Sequence, residues 1–352
     1  MDTKLIKVNR FHPEPDKIEQ AAAILRNGGL VAFPTDTVYG LGALRENKDA
    51  LQRLYEVKQR PQDKPFVLQF ADAQAAGDFV RDAPPFVWRM MQRFWPGALT
   101  IVLRPPQAAS NVGLRIPGHN IALALLAAAC GPLAVSSANI SSRPSPLDAQ
   151  DALQDLSGKI EMVVDGGETD LGLESTVVDV TMQPIRILRR GAIEDSELNE
   201  LANSRHILFV CTGNSCRSVM AEYLFRQALS KSGVKDISVS SCGVRAIDGA
   251  DATCFVRGLL SREGLDASGH RARAMNKDIL RRADLILVME KAHRDEITRA
   301  YPEFSSRVRL LRKFAGDDLA KDIEDPMGKE EEGYRRCLVQ IKGLVEKLVS
   351  RV

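Results

Sequence analysis

The chain of 352 residues lacks any long apolar run. Its longest, Ile121 to Cys130, is too short to cross a bilayer and suits a buried helix. Met1 to Arg10 has neither the basic start nor the apolar core of a signal peptide, so a cytoplasmic protein without membrane contact is expected. There is no internal repeat and no low-complexity tract. The formal net charge of +2 is too near neutral for non-specific nucleic-acid binding, and no long basic run offers a local patch. The six cysteines do not show disulfide-framework spacing, which points to a reducing compartment, and no protein-ligated metal is expected.

What is present is length for two ordinary domains, each with its own core. The sharpest signal runs from His206 to Ser218. An apolar strand, Ile207 to Val210, enters a polar turn, and Met220, Leu224 and Leu229 then follow at helical spacing. Cys211 and Arg217 stand six positions apart across that turn, and Gly213 is expected to let it curl so that its N–H groups converge on an anion. A thiol must ionise to act, and amide dipoles, a helix N-terminus and Arg217 would all favour the thiolate. Cys211 is therefore the candidate nucleophile. Arg217 supplies a planar fork for two phosphoryl oxygens, and the Ser218 hydroxyl can donate to the thiolate.

From 205 to 352 the chain resembles the low-molecular-weight protein tyrosine phosphatases, through Cys-Thr-Gly-Asn-Ser-Cys-Arg-Ser, Ser240-Ser241-Cys242-Gly243, the strand Ala283 to Met289 and Asp325-Pro326. The resemblance implies a parallel sheet flanked by helices, with Asn214, Ser215, Cys216 and Ser218 supporting the phosphate loop. Asp325 would be the general acid, and a phosphorylated protein the substrate. His270 carries no mark of catalysis and is expected to be exposed. Tyrosine-directed members have a bulky apolar residue at the Ser215 position and an aromatic after Asp-Pro. This chain has Ser215 and Met327, so less wall is available to stack on a phenyl ring. Arginine phosphatases resemble it in carrying a small hydroxyl residue at the Ser215 position, which makes phosphoarginine a candidate. Arsenate reductases share the loop too, but Met289 stands where they keep a cysteine nearby.

The first half is signalled by many weaker pieces. A helix over Ile18 to Leu25 stops at Asn27-Gly28-Gly29, and the strand Leu30 to Phe33 opens onto a turn of hydroxyls and glycines, Pro34 to Gly42. Lys58, Arg60 and Lys64 lie on a proline-stiffened loop suited to a polyphosphate. Phe94-Trp95-Pro96-Gly97 reads as packing. Arg115 sits in an apolar edge, where a charge needs a partner. The strand Leu133 to Val135 opens onto Ser136-Ser137-Ala138-Asn139, and Ser145, Ser175 and Arg189 follow in a strand-rich region.

In their joint order these pieces resemble the YrdC-type threonylcarbamoyl-AMP synthases over residues 15 to about 195. The motifs are Pro-Thr-Asp-Thr-Val-Tyr-Gly, Lys-Gln-Arg-Pro, Phe-Trp-Pro-Gly, Arg-Ile-Pro, Ser-Ala-Asn, Ser-Thr-Val and Leu-Arg-Arg-Gly. The resemblance implies an α/β fold with a mixed sheet and a central cavity. There L-threonine, bicarbonate and ATP with Mg2+ give L-threonylcarbamoyladenylate, which feeds tRNA-modification enzymes. It assigns Thr37, Arg115 and Ser175 to threonine, and Lys58, Arg60, Lys64, Ser137, Asn139, Ser145 and Arg189 to ATP. Gln69 departs from the histidine of some relatives. The expected division is a first domain over 1–196, a polar linker over 197–204 and a second domain over 205–352. A first domain that only binds nucleotide or RNA is the rival reading.

Overall fold

The computed structural model describes residues 2–106, 110–317 and 322–352. It divides into two compact units, 1–202 and 203–352. The expected linker is largely helical: Asp195–Asn203 forms a helix whose Leu198 is buried in the core of the first unit. Three apolar residues spaced along that stretch, Leu198, Leu201 and Ala202, give it a side to bury, and this outweighs its acidic composition.

The first unit is built on a ten-stranded mixed sheet. Its strands run in the spatial order Lys4–Lys7, Met162–Asp165, Val31–Phe33, Gly40–Leu44, Leu133–Ser137, Val67–Gln69, Val112–Arg115, Leu99–Leu103, Thr176–Asp179 and Arg186–Arg189. The helices Pro15–Arg26 and Asn120–Ala128 cover part of one face, packing Ile18, Leu25, Ile121 and Leu125 against Val31, Phe33 and Val135. A larger core holds Leu54, Trp88, Met90, Leu156 and Leu198 from other helices together with Leu41, Leu99 and Leu114. Strand ends bring Thr37, Gln69, Arg115, Ser137 and Ser175 to one cavity.

The second unit is a four-stranded parallel sheet in the order Ile237–Gly243, Arg205–Cys211, Leu285–Val288, Val308–Leu310. The first strand in sequence lies inside the sheet, with later strands on either side. Its carboxyl end is thus the switch point where open α/β sheets place ligands, and Cys211 occupies that end. The helices Arg217–Lys231, Cys254–Arg262 and Glu331–Leu348 bury Met220, Leu260 and Ile341 on one face. Lys277–Arg281 and Lys291–Ala300 cover the other with Leu280 and Ile297. Among the described residues no helix is long and apolar enough to cross a membrane.

Candidate active sites

In the first unit a cavity of 150 Å3 is lined by Thr35, Thr37, Arg60, Gln69, Thr100, Arg115, Ser137, Glu174, Ser175 and Arg189, among others. That is below the roughly 300–1,000 Å3 of drug-sized sites. Arg115 is its anchor. The guanidinium donates to Thr37 Oγ1 at 2.8 Å, Asp36 Oδ1 at 2.6 Å and the Gly97 carbonyl at 3.0 Å. Burial pushes its pKa down, and the Asp36 carboxylate opposes that shift. Ser175 Oγ lies 2.8 Å from Thr100 Oγ1 and accepts from Arg189 at 2.9 Å. The Gln69 side-chain oxygen Oε1 is buried in the wall and has no hydrogen-bond partner among the described residues.

In the second unit Arg217, the first residue of the helix that follows the Cys211 loop, is almost fully buried. Cys211 Sγ lies 3.0 Å from Ser218 Oγ. The Arg217 guanidinium donates to Asp325 Oδ2 at 2.6 Å, to Glu290, to the Ile323 carbonyl at 3.0 Å and to Thr212 Oγ1 at 3.3 Å. Asp325 also accepts from the Met327 N–H at 3.0 Å, a turn that fixes its carboxylate beside the loop. The loop is braced from below by Asn214, whose φ is 51°. Its side-chain amide donates to Ser218 Oγ and Ser241 Oγ and accepts from Arg273 N–H, while its carbonyl lies 2.8 Å from His270 Nε2. Gly243 is required beneath: a Cβ there would stand 2.5 Å from the Thr212 carbonyl oxygen and 2.8 Å from Asn214 N.

Comparison with known proteins gives each unit its family. The Sua5–YciO–YrdC family model, described as telomere recombination, matches residues 23–191, and the low molecular weight phosphotyrosine protein phosphatase model matches 206–352. Threonylcarbamoyl-AMP synthase of Bacillus subtilis is 42% identical over 54% of this chain and 58% of its own length, so the chain spans under two thirds of that relative. Pyrococcus abyssi Sua5 has a variant structure that aligns at 30% identity over 80% of this chain and 95% of that one. Its complex with L-threonine aligns at 28% over 88% and 99%, and the TM-score is 0.54 in both cases. A protein-arginine-phosphatase of Geobacillus stearothermophilus is 34% identical over 42% of this chain and 95% of its own length. The chain belongs to both families.

Within the synthase-family unit, Thr37, Arg115, Ser175, Arg60, Ser137 and Arg189 meet at the one cavity. Lys58 does not line it. Its ammonium spends three donors on Ser137 O, Asn139 O and Asn139 Oδ1, and burial pulls its pKa down to about 8. Asn139 in turn donates to the Arg143 and Pro144 carbonyls, at 2.6 and 3.1 Å. Both residues hold the shape of the 137–145 loop. Lys64 is exposed and outside the cavity lining, and its carbonyl accepts from Arg60. Ser145 donates to Glu174. Gln69, the position at which some relatives carry histidine, also lines the cavity; Asp36 and Glu174 are further site residues outside the expected set, although Asp36 stands inside the turn motif and answers Arg115's need for a partner. Phe94-Trp95-Pro96-Gly97 is more than packing, since its last carbonyl aims the Arg115 side chain.

Within the phosphatase-family unit, Cys211, Asn214 and Ser218 share one hydrogen-bond network, and Arg217 pairs with Asp325. Gly213 is not the residue with positive φ; Asn214 is, because its side chain anchors that turn at several points. His270 is buried rather than exposed, held under the loop by the Asn214 contact. Glu290 and His293 were unforeseen. His293 Nε2 lies 2.9 Å from Thr212 Oγ1, and burial followed by the field of Arg217 pulls its pKa down to about 4. Cys216 Sγ is 3.7 Å from both Ser215 Oγ and Thr253 Oγ1. All six cysteines are free thiols, and burial raises Cys242 and Cys337 to about 12.

Proposed function

We propose that the synthase-family unit joins threonine, bicarbonate and ATP into L-threonylcarbamoyladenylate, a precursor for tRNA modification. The observation that carries this is the Arg115–Thr37 hydrogen bond inside the cavity, beside Ser175 and Arg189. Arg115 is a fixed cation for the threonine carboxylate, with Asp36 and Gly97 preventing it from turning away. The amine would attack bicarbonate to give a carbamate with loss of water. A carbamate oxygen then attacks the α-phosphorus, the bond to the β-phosphate oxygen breaks, and pyrophosphate leaves. Arg60 and Arg189 offset charge on that leaving group. Mg2+ enters as part of the MgATP substrate. Threonine-dependent pyrophosphate release is the test. Nucleotide binding without it would favour a binding module.

We infer further that the phosphatase-family unit hydrolyses a phosphoprotein through a cysteinyl-phosphate. The support is Cys211 beside Ser218 on the loop that leads into Arg217, with Asp325 against the Arg217 guanidinium. The thiolate forms the S–P bond as the bond to the leaving group breaks, and Asp325 gives that group its proton. Water then cleaves the S–P bond with its proton passing to Asp325. Ser215, held through its carbonyl by the Thr253 N–H at 3.1 Å, leaves a small polar wall that suits a guanidinium leaving group. Phosphoarginine is therefore the preferred substrate in this reading. Side-by-side turnover of phosphoarginine, phosphotyrosine and arsenate decides it: faster phosphotyrosine or arsenate turnover would sink it. Cys211→Ser should abolish all of these activities.

A further inference from the structure

We propose that Glu174 is an internal competitor for the phosphates of ATP and sets how tightly the synthase-family unit holds its nucleotide. The inference rests on the synthase reading above. Glu174 accepts from Ser145 Oγ at 2.7 Å with one oxygen and from Arg189 with the other. One donor comes from a loop and the other from the end of the strand Arg186–Arg189, yet both are assigned to ATP and both meet at one carboxylate. A phosphate oxygen that takes the two donors must therefore displace the two carboxylate oxygens, anion for anion.

The surroundings determine which partner moves. Arg189 is fastened by its other donors, Nε to the Ser175 carbonyl at 3.0 Å and NH2 to Ser175 Oγ at 2.9 Å. The backbone at 174–176 is pressed against Gly191, where a Cβ would stand 2.4 Å from the Glu174 carbonyl oxygen and 2.5 Å from Thr176 N. What remains free to turn is the Glu174 side chain, which is 35% exposed and has solvent to turn into. Its rotation leaves Ser175 on Thr100, so the threonine side of the cavity keeps its shape. The same negative charge that Arg189 balances before ATP arrives repels the triphosphate on approach and helps pyrophosphate depart. Because the ion pair is partly exposed, water screens the effect to a modest size.

Binding of a non-hydrolysable ATP analogue with Mg2+ to the full chain, in wild type, Glu174→Gln and Glu174→Ala, tests this at low and moderate salt. Both variants should bind the analogue about three- to tenfold more tightly than wild type, with the difference shrinking as salt rises. Threonine affinity should stay within about twofold, and inhibition by pyrophosphate should strengthen. A carboxylate that only orients Ser145 and Arg189 gives the opposite sign. Weaker or unchanged analogue binding in both variants, at unchanged melting temperature, overturns the inference alone. No analogue binding by wild type or either variant overturns the synthase reading and this inference with it.

Discussion

Lys58 grips Asn139 at two points, its ammonium lying 2.5 Å from the backbone oxygen and 2.9 Å from Oδ1, and it reaches Ser137 O at 2.5 Å besides. One buried cation thus closes the turn that follows the strand Leu133–Ser137. Lys58→Met would remove the ammonium donor from those acceptors, of which Asn139 Oδ1 keeps the Ser137 hydroxyl, at about 1–3 kcal/mol for each group left unpaired. The urea midpoint of the first unit should fall, and synthase activity with it. Tryptophan fluorescence isolates that unit, because both tryptophans, Trp88 and Trp95, lie within it. An unchanged midpoint would mean that the loop does not depend on this cation.

Asp36 is the counter-charge of Arg115, and both are buried. Asp36→Asn keeps the shape but leaves the guanidinium uncompensated, a loss of about 3–5 kcal/mol by analogy with other broken buried pairs. The same fluorescence unfolding measures it. A loss below about 1 kcal/mol would show that water or another carboxylate replaces Asp36.

Asn214 has two separable properties, a positive φ and a bracing side chain. Asn214→Gly preserves the backbone preference while deleting the braces; Asn214→Ala deletes both. If the braces matter most, both variants lose aryl-phosphate kcat/KM by at least about tenfold, and they differ from each other by less than that. Full activity in Asn214→Gly would mean that the turn alone suffices.

His293 is held at about 4, below its ordinary 6.5, by burial and then by Arg217. Between those values the unfolded chain binds a proton that the folded unit refuses. Stability of the second unit is therefore complete above about pH 6.5 and drains as pH falls toward 4, by roughly 3 kcal/mol in total. Hydrogen exchange of peptides from Arg205–Cys211 should quicken over that window in wild type and much less in His293→Phe. Equal slopes in the two proteins would rule His293 out as the source.

In the proposed phosphatase reaction Asp325 would serve as acid only while the leaving group needs a proton. Asp325→Ala should slow substrates with poor leaving groups by about 100-fold or more, and spare activated aryl phosphates far more. A Brønsted plot of kcat against leaving-group pKa checks this. Equal slowing of all substrates would assign Asp325 to the positioning of Arg217 instead.

The sequence by itself determined what is local. A strand, a polar turn and a helical apolar stripe placed Cys211 and Arg217 on one loop, because their spacing and the turn between them are short-range properties. The ordered motifs of the first half likewise marked Thr37, Arg115 and Ser175. Tertiary structure decided what depends on partners distant in the chain. Lys58 is buried because the 137–139 turn comes back over it, so its ammonium is spent on that turn. His270 is buried because it lies under Asn214, 56 positions earlier. Helical periodicity could not show that Glu174 would meet Ser145 and Arg189, since hydrogen bonds between distant segments leave no period in the chain. Nor could composition show that Asp195–Asn203 docks its few apolar residues on the first core. Burial and pairing at a site are set by which loops meet, and that is a property of the folded chain.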